Sequence, residues 1–355
     1  MHYSRNYLIN QFVLFIVNPN LGLLILGFNL AMLTCFGEAL IDLIVSPYSR
    51  GILRTDSQAC LGGSIFNFCI ASARQGLATN YLNPLSHDSF GQQYRALLQT
   101  EGVQLASAAP SSLPTSIAVV QLDTQGKASY AFHREAVADR DISAAQAVAA
   151  LPATTAVLHT GCLMLVPQDW PKTCAVIQAA QHTLGACITV DANLRTMVCP
   201  DVAPYRASVL AACAMAHIVK VSDDDLIDLG LMDKTATDPV AASRSLLQSN
   251  TTQLVALTLG AAGAWLVTRQ QAVFQASPTG LEVADTVGAG DSFFAALLAH
   301  LQRSNVLSPA ALQGDLSTAV LQAALAHAVT AAGINVTRVG CNPATWDETV
   351  AALPK

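Results

Sequence analysis

From residue 32 onward, short apolar runs rich in β-branched residues alternate with Ala- and Leu-rich stretches whose apolar positions recur at helical spacing. Such alternation is the pattern of a parallel sheet covered by helices. It predicts strands at Thr34–Ile44, Ala118–Leu122, Ala156–His159, Cys187–Val190, Ile218–Val221, Val255–Leu259 and Ala264–Val267. It predicts helices at Ile65–Gln75, Phe90–Glu101, Ala144–Ala150, Trp170–Leu184, Val240–Leu247, Ser292–Gln302 and Leu316–Ala332. Two segments break the rhythm: Asp42–Leu61, and a hairpin of Ser116–Leu122 with Ala128–Phe132 turned by Asp123, Thr124, Gln125 and Gly126. Together they are expected to form a small sheet covering a site; extra strands on the edge of the main sheet are the other reading. With no repeat, linker or charged tail, residues 32–355 read as one α/β domain.

The N-terminal 31 residues are far more apolar than the rest of the chain, yet Asn10, Gln11, Asn18, Pro19, Asn20 and Asn29 interrupt them. A spanning helix needs about 20 predominantly apolar residues. The segment therefore reads as an extension outside the domain, with Met32 as the start; a membrane-associating segment is the alternative. A chain of 355 residues with 52% apolar side chains can bury a large core. Its net charge of -6, with 18 Lys plus Arg, argues against binding nucleic acid through phosphate neutralisation. Nine Cys, an odd number without a CxxC pair, fit free thiols in a reducing compartment, so a cytoplasmic location is expected.

The stretch 284–301, ADTVGAGDSFFAALLAHL, carries the strongest chemical signal. Phe294, Leu297, Leu298 and Leu301 mark a helix, and Gly288, Ala289 and Gly290 form the turn into it. Small residues there let backbone N–H groups approach an anion, and the helix dipole favours negative charge. Asp291 in the first turn sets a carboxylate beside those donors: a base next to an electrostatic clamp. An Asp in this position can also simply cap its helix. No GxxxxGK[ST] loop, GxSxG elbow, HExxH pair or GxGxxG after the first strand is present, which leaves P-loop, hydrolase, zincin and dinucleotide-binding chemistries unsupported.

The string DTVGAGD resembles the C-terminal signature of the PfkB, or ribokinase-like, family of carbohydrate kinases, and the resemblance extends over nearly all of the chain from residue 32. LGGSIFNFCIASARQG at 61–76 resembles the family's N-terminal signature, implying that Gly62, Gly63 and Asn67 meet sugar hydroxyls. CFGEALIDLI at 35–44 and YAFHREAVAD at 130–139 are similar to segments of the family's bacterial fructokinases. They imply Asp42 as a substrate ligand at the end of the first strand, Phe132 as a lid residue over the sugar, and Arg134 as a hydroxyl or carboxylate ligand. DANLR at 191–195 implies Asp191, Asn193 and Arg195 near the join of the sugar and nucleotide sites. KVSDDDL at 220–226 implies Lys220, Ser222 and Asp225 near phosphates and magnesium, although Ser and Asp depart from the family's Asn and Glu. LTLGAAGAW at 257–265 implies Thr258, Gly260 and Gly263 along the nucleotide, and AAGINVTRVGCNP at 331–343 implies Asn335 beside the adenine. Cys69, and Pro84 in place of a usual glycine, are further departures.

What the resemblance implies is a three-layer sandwich with a mostly parallel central sheet and a small β-sheet lid. The expected reaction is ATP-dependent phosphorylation of a sugar hydroxyl, D-fructose to fructose 6-phosphate, with Asp291 as general base. A 2-keto-3-deoxygluconate kinase or a ribokinase-like sugar kinase is the alternative, and a non-catalytic sugar-binding protein the remaining one. The expected ligands are the sugar, ATP and Mg2+, with room for K+; no metal ligand is assigned. No nucleic-acid or membrane partner is expected, and a homodimer through the lid is allowed for.

Overall fold

The computed structural model describes residues 32–49, 55–106, 109–122 and 128–354. The expectations for residues 1–31 and for the turn at 123–126 lie outside the described residues. Thirteen strands are described: β1 (Met32–Phe36), β2 (Leu40–Ser49), β3 (Thr55–Gly62), β4 (Thr79–Tyr81), β5 (Gln104–Leu105), β6 (Ser116–Leu122), β7 (Ala128–His133), β8 (Thr155–Gly161), β9 (Cys187–Asp191), β10 (Ile218–Ser222), β11 (Leu254–Thr258), β12 (Ala264–Val267) and β13 (Ala272–Gln275). Nine of them form one sheet in the order β13-β12-β11-β10-β9-β8-β1-β4-β5. Pairing is parallel from β11 through β5, and β12 and β13 add an antiparallel edge.

Strand alternation sends neighbouring side chains to opposite faces, so each central strand feeds two cores. Val157, Cys187, Ile218, Leu254 and Ala256 enter one core with helices Ser64–Arg74, Ala289–Arg303 and Thr318–Val336. Leu158, Ile188, Val219, Val255 and Leu257 enter the other with helices Trp170–Thr183 and Val202–Met215. The result is the expected three-layer sandwich. Thr318–Val336 is long and apolar enough to cross a membrane, but Leu321, Ala324, Leu325 and Ala328 are buried in the core against its neighbours.

The second sheet is separate, in the order β3-β2-β6-β7. One expected element is corrected here: Thr34–Ile44 is not one strand. The chain leaves the main sheet after Phe36, turns through Gly37–Ala39, and continues as β2 in the small sheet, pairing parallel to β6. Gly37 permits that turn, since a Cβ on it would run into the Ile65 side chain, and its N–H donates to Asn83 Oδ1 at 2.7 Å. Leu40, Ala118, Cys162 and Leu163 form a small apolar cluster under this sheet, with Phe132 and Val198 packed against it.

Candidate active site

The site residues gather where the parallel strands end. Asp191 closes β9, Ser222 closes β10 and Thr258 closes β11, while Gly37 and Glu38 follow β1. Carboxyl ends of parallel strands are where open α/β sheets place their ligand crevices.

Helix Ala289–Arg303 begins here, with Gly288 as its N-cap in the left-handed conformation (φ 73°). A Cβ on Gly288 would run into Cys341 Sγ, so glycine is required both by the turn and by the C-terminal loop behind it. The helix starts three residues earlier than the apolar spacing predicts, which makes Asp291 its third residue. The Ala289 N–H donates back to Thr286 O at 3.3 Å, and the first intrahelical bond runs from Ser292 N to Gly288 O. The amides of Gly290 and Asp291 therefore have no intrahelical carbonyl, which is the basis of an anion site at a helix start.

Asp291 is 8% exposed and does not cap its own helix. Its Oδ1 accepts from Ser64 Oγ at 2.8 Å, and the Asn67 amide lies near enough to lower its pKa. Burial raises its pKa above the ordinary carboxylate value, against the pull of Lys220, Ser64, Asn67 and Arg195. Lys220 Nζ lies 2.9 Å from both oxygens of Asp191, forming a buried ion pair. Burial pushes the Asp191 carboxyl up to about 6, with Lys220 opposing. That ammonium is also only 3.1 Å from where a Cβ on Gly290 would sit, so a fixed cation stands directly beside the glycine turn.

Asn193 takes a positive φ of 32° and sends Nδ2 to Ser64 Oγ at 3.1 Å, which joins the DANLR loop to Asp291 through Ser64. Arg195 is exposed, and its charge lowers the pKa of both Asp42 and Asp291. Asp42 lies within β2 of the small sheet rather than at the end of the first main strand, a correction that follows from the break at Gly37. Its carboxyl occupies the space a side chain at Gly62 would need, and burial raises it to about 6, with Arg195 opposing. Gly63 stands at φ 104°, at the entry to helix Ser64–Arg74.

Several expected ligands are otherwise committed. Arg134 is buried, donating from Nη2 to Asp139 Oδ2 at 2.8 Å and from Nη1 to Leu163 O at 3.3 Å. Asp139 also accepts from Ser116 Oγ, so this pair anchors the small sheet, while the Arg134 Nε is buried without a partner among the described residues. Ser222 and Asp225 form a reciprocal capping box, and Asp225 Oδ1 takes the Leu194 N–H at 2.9 Å. Asn335 is fully buried: its Nδ2 donates to Val287 O at 2.8 Å and its Oδ1 accepts from Asn342 N at 3.1 Å. It ties the loop before Gly288 to the C-terminal loop, where an adenine contact was expected. Gly263 (φ 121°) is required because a Cβ would strike the backbone of Gln275, whereas Gly260 faces open space and Thr258 is half-buried. Among the described residues no group of three or more His, Cys, Asp or Glu side chains could hold a metal ion.

Ser64, Glu38 and Tyr94 were not singled out by the sequence. Tyr94 is fully buried, donates to Leu40 O at 2.6 Å and accepts the Gly62 N–H at 3.0 Å, and so fixes the strand ends beside Asp42.

A buried carboxylate among cations at a glycine-lined helix start, on a mostly parallel sheet with a separate small one, defines a ribokinase-like phosphotransferase. The chain belongs to the pfkB family of carbohydrate kinases, whose model matches residues 30–348, and it is a sugar kinase. It is similar to the fructokinase of Rhizobium leguminosarum bv. trifolii, with 32% identity over 277 residues, 78% of this chain and 82% of that one. Its structure is similar to the Vibrio cholerae O395 fructokinase in fructose, ADP and calcium ion bound form, with 25% identity, a TM-score of 0.73, and coverage of 92% of this chain and 100% of that one. The fold is shared with Xylella fastidiosa fructokinase with bound ATP, at TM-score 0.77 and 24% identity, over 91% of this chain and 98% of that one.

Proposed function

We propose that the chain is an ATP-dependent fructokinase that phosphorylates the terminal hydroxymethyl of fructose, with Asp291 as general base. The observation that carries this reading is the placement of Asp291: buried at a helix start, bonded to Ser64, and within reach of the Asn67 amide and the Lys220 charge. In this reading Asp42, Asn67 and the glycine pair Gly62–Gly63 receive the sugar hydroxyls, and Phe132 covers them from the small sheet. Asp291 takes the proton from the attacking hydroxyl as the γ-phosphoryl group moves in line towards it. The amides after Gly288 and the Lys220 ammonium hold the charge that develops on the phosphoryl oxygens. Magnesium, if bound, would supply positive charge that neutralises the phosphates. Ser222 and Asp225, both engaged in their capping box, would reach it through water.

Fructose is favoured by the fructokinase relatives and by the polar groups set for a hydroxyl-rich ketose. Assay of fructose, ribose, 2-keto-3-deoxygluconate, glucose and adenosine with Mg-ATP should give the highest kcat/KM for fructose. A larger value for ketodeoxygluconate would overturn the choice of sugar and leave the kinase reading standing. Absence of phosphorylation on every sugar would overturn the kinase reading itself.

A further inference from the structure

Helix Ser64–Arg74 starts on a residue that touches the proposed base. Ser64 Oγ donates to Asp291 Oδ1 at 2.8 Å and accepts from Asn193 Nδ2 at 3.1 Å. A hydroxyl has one hydrogen to give, so Ser64 is spent on Asp291 and held from behind by Asn193. The Ser64 backbone N–H donates to Glu38 Oε1 at 3.0 Å, and Phe66 N donates to Glu38 O at 3.3 Å. Gly63 lies between these contacts, and a Cβ on it would come within 2.6 Å of that same Glu38 O. The first turn of the helix is thereby clamped to one residue of the β1–β2 turn, through both its side chain and its backbone.

Glu38 is fully buried, and its Oε2 has no hydrogen-bond partner among the described residues. A carboxyl used only as a clamp would be expected to bond through both oxygens or lie in water. Three charged groups face it: Arg134, Asp139 and Asp291. Burial, reinforced by the two aspartates and opposed by Arg134, raises Glu38 to about 7. A neutral Glu38 still accepts the Ser64 N–H and adds no second negative charge beside the base.

We propose that Glu38 and Ser64 are positioning residues for phosphoryl transfer: Glu38 fixes the first turn of helix Ser64–Arg74, and Ser64 Oγ fixes the orientation of the Asp291 carboxylate. This rests on the reading of Asp291 as the base. A base misplaced by even a fraction of a bond length loses much of its advantage, so the effect belongs in turnover rather than in sugar affinity.

The test uses the full chain with Mg-ATP and fructose, measuring kcat, KM and the pH profile of kcat for Ser64→Ala, Ser64→Thr, Glu38→Ala, Glu38→Gln and Asp291→Asn. Ser64→Ala should lower kcat by about ten- to a hundredfold with sugar KM within about threefold. Its acidic limb should move to higher pH, because the lost donor no longer lowers the Asp291 pKa. Ser64→Thr restores a hydroxyl and should recover most of the turnover. Glu38→Ala should reproduce Ser64→Ala, while Glu38→Gln, a permanently neutral acceptor, should recover most of the loss. Wild-type kcat and acidic limb in Ser64→Ala, with Asp291→Asn inactive, would overturn the proposal and leave the base reading intact. A change confined to KM would make Ser64 a substrate contact and overturn it equally. Asp291→Asn retaining more than about a tenth of turnover would instead overturn the base reading. If Glu38→Ala does not fold, the Ser64 pair decides alone.

Discussion

Helix Ala289–Arg303 buries titratable groups at both ends and treats them in opposite ways. At its start, Asp291 is surrounded by Ser64, Asn67, Lys220 and Arg195, and Thr286 and Val287 just before the helix are exposed. Nine residues later, about 14 Å along the axis, His300 and Arg303 meet His327 and Trp346. The Arg303 guanidinium lies 3.9 Å over the Trp346 ring, and the two imidazoles are 5.5 Å apart. His327 Nε2 lies 2.9 Å from Gln75 Oε1. Gln75 Nε2 donates to Ala344 O and Thr349 Oγ1, so its oxygen must accept and His327 Nε2 carries the hydrogen. The Nδ1 atoms of both imidazoles are buried without a partner among the described residues.

Burial penalises whichever form is charged, so it raises the acids at one end and lowers the imidazoles at the other. The difference lies in what surrounds them. Asp291 has cations and donors arranged to favour its charge. His327 is pushed down to about 4 by burial, with His300 and Arg303 adding to the effect. One end surrounds its carboxylate with cations and donors; at the other the imidazoles stay neutral beside the Arg303 cation, packed against Trp346 of the C-terminal helix Trp346–Ala352.

The sharpest way to break this comparison is to remove a cation at the first end. Lys220→Met leaves Asp191 buried without its partner, and should cost about 3–5 kcal/mol of stability together with most of the turnover. Trp346→Ala at the other end should cost about 2–3 kcal/mol through lost packing and cation–π contact, with kcat within about twofold of wild type. Thermal unfolding and steady-state kinetics on both variants check this. Equal losses of kcat would erase the distinction.

The pH dependence of stability separates the ends by sign. Glu38, raised to about 7, binds its proton more tightly when folded. Its contribution is fully present below the unfolded value near 4.5 and is lost as pH rises through about 7. His327, lowered to about 4, contributes above its unfolded value near 6.5 and loses that as pH falls through about 4. Glu38→Gln should remove a decline of about 2–3 kcal/mol across that rise. His327→Gln should remove an acid-side decline of similar size, about 2–3 kcal/mol. Denaturant unfolding from pH 4 to 8 reads both slopes, and changes of the same sign would contradict the comparison.

Long strands and capped amphipathic helices were legible in the sequence because their periodicity is local. Helix Ala144–Ala150 and strand β6 fall where the spacing places them. The three-residue β4 and four-residue β13 are too short to show a period, and helix Val202–Met215 is apolar nearly all round, so no face stands out. The break at Gly37 was hidden because its cause, the Ile65 side chain, comes from another element. At the site, Asp291 and its glycines were legible because a helix start announces itself. Ser64 was not, since its partner is 227 residues away. Asn335, Ser222 and Asp225 were recognisable as special positions, yet only their bonding partners show that they hold loops in place.

The central claim is that Asp291 serves as a base rather than as a structural carboxylate, and it is tested most directly in Asp291→Asn by measuring fructose binding and turnover on the same preparation. Asn keeps the size and an acceptor for Ser64, so binding should stay within a few-fold of wild type while kcat with Mg-ATP falls by about 10²–10⁴-fold. Turnover above about a tenth of wild type, with fructose still bound, would contradict the account.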